Sequence, residues 1–124
     1  MLLDGVLYTD APTTAAIAYR DIRVDEFWVK AHVPGRPLFP GVLMLEAAAQ
    51  TSAFAAHKLT DFEGKFIGMG GVDKVKYRDA IVPGQRLHIL VKLLELKSRR
   101  IISATQGWVG GKVVFEGQIT GMVM

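Results

Sequence analysis

The chain contains no cysteine, so disulfides, a thiolate nucleophile and cysteine-based metal sites are excluded. Its three histidines, His32, His57 and His88, are scattered without ligand spacing, which argues against a metal centre. No Gly-rich phosphate loop followed by lysine is present, and no cofactor is expected. Met1-Leu2-Leu3-Asp4 lacks the basic region and apolar core of a signal peptide. The longest apolar run, 41–56, is broken by Glu46 and Gln50 and is too short to span a bilayer. There is no long Lys/Arg run, and a net charge of +3 is only mildly basic, so neither nucleic acid nor membrane is an expected partner. These absences fit a cytoplasmic protein. Repeats, linkers and low-complexity segments are also missing, and residues 1–124 read as a single domain.

Apolar residues, by contrast, are plentiful. Half of the sequence is hydrophobic, and the mean hydropathy is +0.25. A domain of this size cannot bury all of that alone, so an oligomer interface is expected.

One stretch organises the rest. His32 opens a loop stiffened by Pro34, Pro37 and Pro40, each of which fixes its own φ and restrains its neighbour. Pro40-Gly41 then leads into a run of Ala, Leu, Met, Gln and Glu, all good helix formers. This predicts a helix from Val42 to about Leu59, about 27 Å long. The run is apolar nearly all round, as in a buried helix. Glu46, Gln50, Ala53 and His57 share one stripe of it, and the polar members need partners there. Asp61 to Gly64 is expected to close the helix.

Strands are expected on either side. Leu2–Tyr8 and Ala15–Val24 flank a turn at Thr9–Thr13, and a turn or a single helical turn is read at Asp25–Trp28. Phe66–Tyr77 carries Gly68, Gly70 and Gly71, which suggest a bulge or a close backbone approach. Leu87–Leu96 alternates with period two. It is preceded by a turn at Val82-Pro83-Gly84-Gln85 and followed by one at Ser98-Arg99-Arg100. Ile101–Val109 and Lys112–Met124 flank Gly110-Gly111, a hairpin signal. Strands in hairpin order with one apolar helix give an α+β domain, an antiparallel sheet wrapped around a central helix.

The chemistry follows from the helix and its loop. A helix start presents unpaired N–H groups and partial positive charge. Gly41 therefore offers a donor to a developing oxyanion, with Val42 as its neighbour, and glycine also lets the chain turn there. His32 is a candidate base near neutral pH. Glu46, buried among apolar residues, would have a raised pKa and act as a proton donor. Gln50 either holds that carboxylate or is a core amide with backbone partners. His57 and His88 are read as structural.

The ordered set of His32, Pro34-Gly35, Pro40-Gly41, Val42-Leu43, Glu46, Ala47 and Gln50 resembles the signature of the FabZ/FabA class of 3-hydroxyacyl-[acyl-carrier-protein] dehydratases. The resemblance continues through Val72-Asp73-Lys74-Val75-Lys76-Tyr77-Arg78 and Val82-Pro83-Gly84 and covers nearly the whole chain. It implies the hotdog fold and a dimer whose sheets join edge to edge. It implies cofactor-independent dehydration of (3R)-3-hydroxyacyl thioesters, on acyl carrier protein, to trans-2-enoyl thioesters in fatty acid or related acyl-chain biosynthesis. His32 would take the α-proton and Glu46 would protonate the departing hydroxyl, the two facing each other across the dimer interface. A hotdog thioesterase, with Glu46 activating water, and a non-catalytic acyl-binding subunit are the competing readings. Arg78, Arg99 and Arg100 are either a solvated face or a docking rim for an acidic carrier. Three features depart from the family pattern: Ala31 stands where glycine is usual, Val33 stands where phenylalanine is usual, and the usual segment ahead of the first strand is not seen.

Overall fold

The computed structural model describes residues 3–23, 41–60, 67–97 and 99–123, apart from the side chain of Val42. The His32 loop, the turn expected at Asp25–Trp28 and the helix end expected at Asp61–Gly64 lie outside the described residues. Six strands and one helix make up the rest: β1 (Gly5–Asp10), β2 (Ala15–Asp21), α1 (Gly41–Leu59), β3 (Ile67–Tyr77), β4 (Arg86–Lys97), β5 (Arg100–Val109) and β6 (Lys112–Val123). The six expected strands and the expected helix are found, with ends displaced by at most three residues.

The strands form one antiparallel sheet in the order β1-β2-β4-β5-β6-β3. Hairpins join β1 to β2, β4 to β5 and β5 to β6. The Gly110-Gly111 turn has φ of 57° and 80°, the left-handed pair that a two-residue hairpin needs and that glycine adopts without strain. The sheet does not follow hairpin order throughout. After α1 the chain returns to the far edge, so β3 pairs with β6 and the turn at Val82–Gln85 joins strands that are not neighbours. That turn has Gly84 at φ 95° and a Gln85 N–H to Val82 carbonyl bond of 3.3 Å, with proline and glycine where a type II turn takes them.

One face of the sheet carries Ala16, Ala18, Leu87, Ile89, Val91, Ile101, Phe115 and Ile119, all buried. Burying side chains as large as Phe115 or Leu87 stabilises by roughly 1.5–3 kcal/mol each. The helix lies on this face through Met44, Ala47, Ala48, Thr51, Ser52, Ala55 and Ala56, and small residues let it approach closely. The buried hydroxyls are satisfied. Thr51 donates to the Ala47 carbonyl at 2.9 Å, Ser52 to that of Ala48 at 2.9 Å, and Ser103 to the Ser52 Oγ at 2.8 Å. This is the hotdog arrangement, with one qualification to the expectation of a helix buried all round. The sheet covers one side of α1, while Leu45, Glu46, Ala49, Gln50, Ala53 and Phe54 on the other side are only half-buried.

Candidate functional site

The helix start is held by β3. Gly41 is the first residue of α1, and Tyr77, the last residue of β3, donates from its hydroxyl to the Gly41 carbonyl at 3.2 Å. No acidic side chain occupies the first turn of α1, while His57 and Lys58 complement the dipole in the last. The N–H groups of the first turn, which have no intrahelical acceptor, therefore meet no carboxylate of their own turn.

Glu46 follows five residues on, about 7.5 Å along the axis. Its side chain is half-buried, not enclosed as expected from the apolar run. Gln50 donates from Nε2 to Glu46 Oε1 at 3.3 Å, so of the two readings of that amide the structure has the one in which it touches the carboxylate. Both line a cavity of about 240 Å³ whose floor is Ile67, Ile101 and Ile119, with Ala53 farther along the helix. The third polar member of the stripe, His57, is half-buried at the helix end. The groove thus has a carboxylate and an amide at one end and apolar walls beyond. Gly68, Met69 and Gly121 complete the β3 side. The expected bulge is there too: β3 slips register between Met69 and Gly71, with Gly70 as the extra residue.

Strand β2 ends where the His32 loop leaves. Asp4 accepts from the Asp21 N–H at 2.6 Å and from Arg23 Nη2 at 2.9 Å, tying β1 to that exit. Burial opposes the charged form of Asp4, but the Asp21 N–H and the Arg23 guanidinium outweigh it and hold its carboxyl below the usual range. The Gly84 N–H donates to the Ile22 carbonyl at 2.8 Å, and the Ile22 N–H to the Gln85 carbonyl at 3.0 Å, so the Pro83-Gly84 turn braces the same exit. His32 itself lies outside the described residues.

Sequence reasoning missed two features. Arg20 is buried on the helix side of β2, where desolvation lowers its guanidinium pKa against the opposing pull of Asp4. The alternation through Ala16 and Ala18 already pointed position 20 inward, and Ile22 continues the series. The second is a larger trough of about 470 Å³ on the opposite face of the sheet, floored by Ile17, Leu90 and Ala104 with Gln106 and Gln118 beside them. Lys74, Lys92 and Glu116 also line it, but it lies away from Glu46 and the helix start, so the smaller groove is the better candidate.

The three arginines are not brought together. Arg78 follows β3 at the helix-start end and pairs with Glu116 at 3.1 Å. Arg100 sits at the other end of the sheet, paired with Glu95 at 3.1 Å, beside the exposed Arg99. A strand the length of β3 separates the two ends, roughly 30 Å. Within one chain, the strand direction therefore puts Arg78 at the opposite end of the sheet from Arg99 and Arg100. Among the described residues no three His, Cys, Asp or Glu side chains cluster as for a metal, and no helix is long and apolar enough to cross a membrane.

Fold and site together define a hotdog protein with a carboxylate facing an apolar groove one turn inside the start of its helix. The family model of the FabA-like domain matches residues 1–118, and the chain belongs to that family. It is 32% identical over 123 residues to the 3-hydroxyacyl-[acyl-carrier-protein] dehydratase FabZ of Clostridium kluyveri, covering 99% of this chain and 85% of that protein. The FabZ of Enterococcus faecalis is 35% identical over 123 residues, covering 99% and 86%. Among solved structures, the dehydratase heterocomplex ApeI:P from Xenorhabdus doucetiae superposes with a TM-score of 0.79 at 18% identity, over 100% of this chain and 83% of that one. At that identity the likeness concerns the fold.

Proposed function

We propose that this chain is a hydro-lyase that dehydrates (3R)-3-hydroxyacyl thioesters, carried on acyl carrier protein, to trans-2-enoyl thioesters. The observation that carries this reading is Glu46, set between an open helix start and an apolar groove in a FabA-like domain. The thioester oxygen sits at the helix start, where the Gly41 N–H and its neighbour at Val42 stabilise charge. His32 takes the α-proton from C2, and the C–H electron pair moves into an enolate. That pair then forms the C2–C3 double bond as the C3–O bond breaks. Glu46 delivers its proton to the departing hydroxyl, giving water. Return of the proton from His32 to Glu46 resets the pair. The elimination is redox-neutral and needs no cofactor. Gln50 orients the Glu46 carboxyl, and the groove takes the acyl chain.

The enzyme is a homodimer or larger assembly with composite sites. β3 is an edge strand with Met69 and Val72 each 45% exposed, and the uncovered side of α1 lies next to it. A second copy along this edge covers both and brings its own His32 loop to Glu46. The carrier docks at the helix-start end, near Arg78 and the exposed Lys76, because the thioester emerges there. The test is direct. Incubation with a 3-hydroxyacyl thioester should produce enoyl absorbance without free thiol. Release of thiol with no enoyl product would mean hydrolysis and end the proposal.

A further inference from the structure

Tyr77 reaches the helix start through an irregularity in its own strand. Up to Asp73, β3 runs in register with β6: Val72 lies opposite Ile119 on the helix side, and Asp73 opposite Gln118 on the outer side. Strict alternation from there would send position 77 outward. Between Asp73 and Lys76 the register slips, and Tyr77 comes to lie opposite the fully buried Phe115, on the helix side. The slip is costly in backbone terms. Lys74 is held at φ 55°, uncommon for a residue with a side chain, while its N–H is taken by Asp73 Oδ1 at 2.8 Å. Just after Tyr77, the Arg78 N–H donates to the Val114 carbonyl at 2.7 Å and fixes the strand end.

The contact thus achieved is specific. The Tyr77 hydroxyl meets the Gly41 carbonyl, and the ring lies over the Gly41 Cα, so that a Cβ there would be 2.9 Å from Cζ and 3.0 Å from Cε1. The Gly41 carbonyl belongs to the same peptide group as the Val42 N–H. A hydrogen bond accepted by a carbonyl polarises its amide and makes the N–H a better donor.

We infer that Tyr77 is a positioning residue for the anion-stabilising helix start, its hydroxyl orienting and polarising the Gly41–Val42 peptide group toward the thioester oxygen. Its ring also makes glycine obligatory at position 41. Partial burial pushes the phenol pKa up, so the hydroxyl stays a donor through the working pH range. The inference rests on the dehydratase reading, since it assigns Tyr77 to the enolate oxygen of that reaction.

The experiment is steady-state dehydration by Tyr77→Phe, which keeps the half-exposed ring and removes only the hydroxyl. Charge gathers on the thioester oxygen in the transition state, so kcat should fall about three- to tenfold, the kinetic equivalent of one ordinary hydrogen bond, with KM unchanged. Wild-type kcat, or a change in KM alone, would overturn the inference. A companion pair tests the ring. Gly41→Ala should cost more activity beside Tyr77 than beside Tyr77→Ser, where the added methyl group has room, and equal losses would refute the steric part. If the wild-type protein makes no enoyl product, the dehydratase reading itself has failed, which is distinct from any result with the variants.

Discussion

Replacing Glu46 by glutamine separates chemistry from stability more cleanly than any other change at the site. The amide preserves volume, and glutamine and glutamate have similar helix propensities. Among the described residues the side-chain contact at risk is the 3.3 Å bond from Gln50, which is long, partly exposed and still has an amide oxygen to accept it. Even its complete loss would cost only about 0.5–1.5 kcal/mol. For a domain of this length that moves the melting temperature by at most about 6 °C. Removing a general acid costs ~10²–10⁴-fold in rate, or about 3–5.5 kcal/mol of activation free energy. The two effects do not overlap in magnitude. Glu46→Gln should therefore keep its circular dichroism, its assembly and nearly all its thermal stability, and lose at least about a hundredfold in enoyl formation. A variant that folds, assembles and turns over within a few-fold of wild type would show that the departing hydroxyl takes its proton elsewhere.

Two other predictions concern assembly and acid. If His32 of one subunit serves Glu46 of another, mixing inactive His32→Ala and Glu46→Gln proteins under exchanging conditions should restore part of the activity, and a fully active monomer by sedimentation would exclude a shared site. Asp4 titrates lower in the folded chain than in the unfolded one, so its stabilising effect is complete above the ordinary aspartate range and is lost as pH falls below about 4 toward its folded pKa; Asp4→Asn should lower the melting temperature at neutral pH and flatten the acid limb, and an unchanged acid limb would remove Asp4 from the brace at the loop exit.

Much of this was legible because two periodicities rarely mislead when they are long. The run after Pro40 gave the helix to within a residue of its start, and the alternation from Leu87 gave β4. The spacing from Glu46 to Gln50 put acid and amide on one stripe but left open whether they touch, and the 3.3 Å bond decides that. Pairing across the sheet was less visible. Nothing local to β3 says that it will lie against β6, because that choice is made by where α1 must cross. The bulge at Gly70 was announced by glycines, whereas the one at Lys74 was not, since a lysine held at positive φ leaves no mark in composition. That second bulge decides which way Tyr77 points. The separation of Arg78 from Arg99 and Arg100 within the chain was hidden for a related reason: sequence proximity to turns does not tell which end of the sheet a turn occupies.

For the proposed dehydration, the helix itself suggests one direction for the substrate in the groove. A thioester carbonyl at the Ala53 end would face apolar side chains and the negative half of the helix dipole, which opposes an enolate. At the Gly41 end the same oxygen meets unpaired N–H groups and no acidic side chain of the first turn. From there Glu46 is about 7.5 Å along the axis, and Ala53 about 10 Å beyond it. Carbonyl, hydroxyl-bearing carbon and alkyl tail thus map in order onto helix start, Glu46 and the Ile67–Ile101–Ile119 floor. In the proposed reaction the carrier arm would then leave at the helix start, on the side of Lys76 and Arg78. Arg99 and Arg100 stand at the other end of the sheet of the same chain. The polarity of one helix is enough to order the site, from carrier to acid to acyl chain.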